Sequence, residues 1–123
     1  MPWQLQNDRP IYLQLVEILQ LRIITGQYAP GSRLPAVRDL AQEAAVNPNT
    51  MQKALNELEA DGLTYTQRTA GRYVTEDTDR IEGVRQRLAA AKAQTFLKQI
   101  EQLGYAPQEI TALVTAILQK EDV

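Results

Sequence analysis

Between Pro35 and Gly62 the chain carries two short helical signals back to back, and they run directly into a β-rich stretch. Few folds accommodate that spacing. Asn47 followed by Pro48 joins a capping side chain to the residue best tolerated at a first helical position. The helix it opens carries Met51, Ala54, Leu55 and Leu58 on one face, runs to about Asp61 and is ended by Gly62. Before it, Pro35 opens a shorter helix with Val37, Leu40, Ala41 and Ala44, interrupted at Ala45-Val46-Asn47. After it, Leu63 to Gln67 and Arg72 to Thr75 are rich in β-branched and aromatic residues. Arg68-Thr69-Ala70-Gly71 between them is a glycine-containing turn, so the two strands form a hairpin.

The flanks read as helices. Pro10, placed after Asp8 and Arg9, suits the first position of a helix with Tyr12, Leu15, Val16, Leu19 and Ile23 at helical spacing. Gly26 stops it, and Pro30-Gly31 marks a turn. From Asp79 to Leu103 there is no proline, and Ile81, Val84, Leu88, Phe96, Ile100 and Leu103 recur mostly three or four apart. Such a helix would span roughly 37 Å. Gly104 stops it, and Pro107 opens a last helix with Ile110, Leu113, Val114, Ile117 and Leu118 on one face. The expected fold is mainly α with a small β-hairpin: a winged helix-turn-helix over 1–78, followed by a two-helix tail over 79–123. The apolar face of so long a tail helix needs a partner, and a second copy of the chain is the expected one.

Composition excludes much chemistry. The 123 residues include no cysteine and no histidine, which removes thiolate nucleophiles, cysteine zinc sites and the commonest general base. Glu57, Glu59 and Asp61 lie at one helix end without such a partner or a glycine-rich phosphate loop. No enzyme, metal or cofactor is expected. No apolar run approaches the ~18 residues of a spanning helix, and Met1-Pro2-Trp3-Gln4-Leu5 lacks a signal-peptide pattern, so a cytoplasmic protein is expected.

The net charge of −2 argues against nucleic acid, and residues 1–78 alone carry 7 Lys/Arg against 9 Asp/Glu. The distribution argues the other way. From Val46 to Asn56 there is no acid, and from Thr64 to Thr75 there is none either, while Lys53, Arg68 and Arg72 are basic. A DNA-facing surface must avoid phosphate repulsion locally, whatever the total. On the third helix Asn49, Gln52, Lys53 and Asn56 share one polar face, with Thr50 beside it. Asn and Gln pair with adenine edges, and Lys suits guanine or phosphate. A polar helix face is more often a solvated surface, and the alternative role for Arg38 is a surface ion pair with Asp39 or Glu43.

Many spaced residues agree with one family at once. Pro10-x-Tyr12-x-Gln14, Gly26-x-Tyr28-x-Pro30-Gly31-x-x-Leu34-Pro35, Arg38-x-Leu40-Ala41, Asn47-x-x-Thr50, Ala54-Leu55-x-x-Leu58-Glu59-x-x-Gly62-Leu63 and Gly71-x-Tyr73-Val74 resemble the GntR family of bacterial transcription regulators. The short tail resembles its YtrA-type subfamily, whose tail serves dimerisation and is too small for the usual effector-binding domain. The resemblance implies a DNA-contacting role for Arg38, recognition-helix roles for Asn49, Thr50 and Gln52, and a minor-groove wing tip at Arg68, Thr69 and Gly71. Three positions depart from the pattern. Ala36 replaces a usual serine, Asn47 a small polar residue, and Thr69 a wing glycine that could take positive φ.

The candidate DNA interface is therefore Arg38, Asn47, Asn49, Thr50, Gln52, Lys53, Arg68, Thr69, Gly71 and Arg72. The candidate dimerisation residues are Ile81, Val84, Leu88, Phe96, Ile100, Leu103, Ile110, Leu113, Val114 and Ile117. The expected function is a homodimeric repressor acting on a double-stranded, near-palindromic operator, controlling a transporter operon, with no membrane partner and an effector, if any, unidentified. The competing expectation is a winged helix used for protein assembly without DNA.

Overall fold

The computed structural model describes residues 3–121. Helix α1 spans Ile11–Ile24. Pro10 caps it from outside, with φ −53° and ψ 134°, and so precedes the first helical position instead of occupying it. The buried Gln14 amide ties the preceding segment to the helix. It accepts from the Gln6 N–H at 2.7 Å and donates to the carbonyls of Gln6 and Arg9 at 2.8 and 3.0 Å. Gly26 (φ 84°) follows the end of α1 in the left-handed region, where glycine carries no Cβ penalty.

Helix α2 is Val37–Ala44, so it begins two residues after the proline expected to open it. The reason is non-local. The Gly31 N–H donates to the Val74 carbonyl, the Val74 N–H to Ser32, and the Leu34 N–H to Arg72, each at 2.9–3.0 Å. That pairing holds the chain extended through Ala36 (ψ 152°). Helix α2 closes with a Schellman motif: Val46 N–H to the Ala41 carbonyl and Ala45 N–H to Gln42. Ala45 takes the left-handed angle itself, φ 60° and ψ 48°. Helix α3, Pro48–Ala60, is capped by Asn47 Oδ1, which accepts the Asn49 N–H at 2.7 Å, with Pro48 at the first position.

Strands β1 (Thr64–Gln67) and β2 (Gly71–Val74) pair antiparallel, with Thr64 opposite Val74 and Gln67 opposite Gly71. Their turn is closed by Ala70 N–H to the Gln67 carbonyl, and Gly71 (φ 100°) supplies the positive angle. Thr69 is therefore not asked to adopt one. A bridge between Arg33 and Tyr73 extends the sheet on the β2 side. Leu15, Leu19 and Ile23 of α1 share the core with Leu40, Met51, Leu55, Leu58, Leu63 and Val74, all fully buried.

Helix α4 (Thr78–Glu101) starts where Asp77 Oδ1 accepts the Arg80 N–H, and α5 spans Pro107–Glu121. The chain forms two compact units that divide within α4, after Val84. Ile81 and Val84, at 9% and 3% exposure, are core residues of the first unit, and Ile110 is buried in the second at 5%. These three correct the expected dimerisation set: side chains already removed from water by their own chain add no apolar area to a partner. Leu88, Ile100, Leu113 and Val114 are half-buried, while Phe96, Leu97, Leu103, Ile117 and Leu118 are exposed. Tyr105, between α4 and α5, is 40% exposed. No helix among the described residues is long and apolar enough to cross a membrane.

Candidate nucleic-acid interface

The buried stripe of α3 faces the core, which leaves its other side outward. Asn49, Lys53 and Asn56 are exposed, and Thr50 and Gln52 are half-exposed. Asn47 uses its side-chain oxygen on the cap. Lys53 lies with its Nζ 3.8 Å from the centroid of the Tyr12 ring, a cation–π contact that anchors its stem against α1.

Arg68 and Thr69 are exposed at the hairpin tip, and Tyr65 and Tyr73 stack behind it with centroids 5.8 Å apart. Arg72 is placed differently from Arg68. Its guanidinium donates to the Leu55 carbonyl at 3.2 Å and to Asn56 Oδ1 at 2.9 Å, and it pairs with Glu59 at 3.4 Å. Its side chain is only 14% exposed. Thr66 Oγ1 donates to the same Glu59 carboxylate. Glu59 thus has its charge offset in place.

Arg38 stands exposed on the first turn of α2 and has no ion pair among the described residues. The alternative partner Glu43 is engaged elsewhere. It accepts the Trp3 indole N–H at 2.6 Å and pairs with Arg22 at 2.8 Å. The Arg22 guanidinium lies 4.5 Å from the Trp3 ring centroid and donates to the Tyr28 hydroxyl at 2.7 Å. The indole N–H and then the guanidinium hold the Glu43 carboxyl below its ordinary pKa. Trp3 therefore anchors the N-terminal segment within its own chain.

One basic residue escaped the sequence reading. Arg33 is exposed, and its guanidinium lies 3.1 Å from where a Cβ on Gly71 would sit. It borders an open cleft of about 260 Å³, lined also by Leu34, Ala36, Val37, Thr66 and Arg72. Nothing local marks Arg33; only its pairing across to Tyr73 carries it to the wing. The structure thus brings α3 and the hairpin together through Arg72 and Asn56, while Arg38 stands apart on α2.

Comparison with known proteins agrees with this architecture. The family model described as bacterial regulatory proteins, gntR family, matches residues 11–74. The regulator YhcF of Bacillus subtilis is 33% identical over 107 residues, covering 87% of this chain and 88% of that protein. The transcriptional repressor YtrA of the same organism is 39% identical over 80 residues, covering 63% of this chain and 62% of that protein. A GntR family regulator from Listeria monocytogenes superimposes with a TM-score of 0.86 at 38% identity, over 91% of this chain and 98% of that one. The DNA-binding domain of AraR, solved in complex with an operator, matches 61% of this chain and 90% of its own length at a TM-score of 0.53 and 28% identity. With a winged helix-turn-helix in place and the family model matched over residues 11–74, the chain belongs to the gntR family of bacterial regulatory proteins and is a DNA-binding transcription regulator, not an enzyme.

Proposed function

We propose that the chain is a homodimeric repressor that blocks a promoter by occupying a near-palindromic operator. Residues 1–78 read DNA, and residues 79–123 hold two copies together. Helix α3 enters the major groove with Asn49, Thr50 and Gln52 toward base edges, while Asn47 and Lys53 flank them. The hairpin tip, Arg68 to Gly71, lies over the adjacent minor groove. Arg38 and Arg33 meet phosphates on either side. The observation that carries this reading is the local chemistry: Arg33, Arg38 and Arg68 are exposed, and the outward α3 face bears amides, a hydroxyl and Lys53. Repression is supported by the names of relatives, and operator binding by the AraR complex.

The dimer reading rests on the second unit. Phe96, Leu103 and Ile117 are exposed, and Leu88, Ile100, Leu113 and Val114 are half-buried, an exposed apolar surface of the kind that marks an interaction site. An isologous pairing would place half-site centres about 34 Å apart. The target is a transporter operon next to the regulator's own gene, a reading that rests on the family resemblance alone.

An anisotropy titration against the DNA upstream of its own gene, with scrambled DNA as control at two salt concentrations, tests the proposal. Tighter binding to the upstream DNA at both salts is expected. Equal affinity for the two DNAs overturns the specific-repressor reading, and retained self-association without any DNA binding would favour an assembly module.

A further inference from the structure

On the outward face of α3, one polar relay ties a reading residue to the hairpin. Arg72 donates to Asn56 Oδ1 at 2.9 Å, and Gln52 Nε2 donates to the same oxygen at 3.0 Å. The order of donors and acceptors in this relay is forced. A guanidinium carries five N–H groups and no acceptor, so the Asn56 atom facing it is the oxygen. That oxygen then already faces a donor, and the Gln52 atom beside it must be the nitrogen. A Gln52 amide turned by 180° would set oxygen against oxygen. Arg72 is itself immobilised by the Leu55 carbonyl and Glu59 and is 14% exposed.

We propose that Arg72 is a positioning residue that, through Asn56, locks the Gln52 amide in one orientation and so sharpens base discrimination by the recognition helix. This rests on the reading that α3 enters the major groove. An amide reads a base by offering its oxygen to a donor and its nitrogen to an acceptor, in a fixed order along the base edge. A freely flipping amide accepts base pairs with either order. A locked one accepts only one order, because the other costs the Gln52–Asn56 hydrogen bond. That bond corresponds to about fivefold in discrimination.

The experiment selects binders from a duplex library randomised across about two helical turns, using the full chain and its Gln52→Ala, Asn56→Ala, Asn56→Asp, Arg72→Gln and Arg72→Lys variants. Gln52→Ala identifies the base pair that Gln52 reads, as the position whose preference it flattens. Asn56→Ala and Arg72→Gln are expected to weaken preference at that same pair about fivefold, leaving other positions unchanged. Asn56→Asp, which still accepts from both donors, and Arg72→Lys, which still donates to Asn56, are expected to retain it. Asn56 is exposed on the helix, so its variants stay folded even if the Arg72 variants loosen the hairpin.

A purely structural role for Arg72 would lower affinity evenly across all positions, and that outcome overturns the proposal. Preference at the Gln52 pair within twofold of wild type in Asn56→Ala overturns it too, as does a Gln52→Ala variant that flattens no position. A wild-type chain that selects no sequence at all fails the repressor reading itself, and the lock with it.

Discussion

Ala45 joins the two helices of the helix-turn-helix, and it does so in a backbone conformation that costs an L-residue energy. Its φ of 60° and ψ of 48° place Cβ against the following carbonyl, at about 1–2 kcal/mol. Among the described residues it is the one non-glycine with positive φ. Replacing it with glycine removes that strain. The opposing term is the extra freedom of glycine in the unfolded chain, about 0.4–1 kcal/mol. The lost methyl group contributes little, because Ala45 is exposed. The Schellman hydrogen bonds use only backbone and persist. Strain relief wins, and Ala45→Gly should stabilise the chain by about 0.7 kcal/mol, or roughly 2–4 °C in Tm. The neighbouring Ala44 gives the opposite sign. It is helical and 2% exposed, so Ala44→Gly should cost about 2 kcal/mol from helix propensity and lost burial together. Thermal and urea melts followed by far-UV circular dichroism at one fixed protein concentration compare the three chains, since self-association would shift Tm with concentration. An Ala45→Gly protein no more stable than wild type would refute the strain account. Equal losses at both positions would show that glycine entropy dominates.

Other expectations follow from the same geometry. The Thr64 hydroxyl is buried and has no partner, so Thr64→Val should raise stability by about 1 kcal/mol in a urea melt. Glu43 is held below its ordinary pKa, so its stabilising contribution is full above the ordinary glutamate value and is lost as pH falls through the lower native value. The stability gap between wild type and Glu43→Gln should therefore narrow between about pH 6 and pH 3; a gap that does not change would separate Glu43 from the acid response. Asn49→Ala and Gln52→Ala should each lose about 1–3 kcal/mol at particular operator positions. Arg38→Ala and Arg33→Ala should instead weaken binding to all sequences and flatten the salt slope by about one unit each, and an unchanged slope would take them off the phosphates. Phe96→Glu should shift the chain toward monomer in analytical ultracentrifugation.

Much of the fold was legible because its boundaries are written in local chemistry. Asn47-Pro48 starts α3 as its side chains require, Gly62 follows its end, and the β-branched run after it forms the hairpin. What escaped was set by residues distant in sequence. Pro35 is a good helix opener, yet α2 waits until Val37 because the segment before it is committed to pairing with β2. Left-handed angles fall on Ala45 and Gly71, and not at position 69, because the turn closes between Gln67 and Ala70. The polar face of α3 was readable from spacing alone. The partners of its side chains were not: Lys53 turns to Tyr12, and Arg72 turns inward to Leu55, Asn56 and Glu59. Periodicity reports which side of a helix faces out, but not what a long side chain meets there.

The pairing of Gly31 to Leu34 with β2 has a consequence for anyone exchanging parts between relatives. The wing is a two-part structure: a contiguous hairpin, and a strand-like segment supplied from about forty residues upstream, just before α2. A graft carrying only residues 63–75 would leave its register to be fixed by a foreign Gly31–Leu34 equivalent, and would set Gly71 against whatever replaces Arg33. The transferable module is both segments together, and chimaeras built on the hairpin alone should exchange their Leu34 and Val74 amide hydrogens faster than either parent.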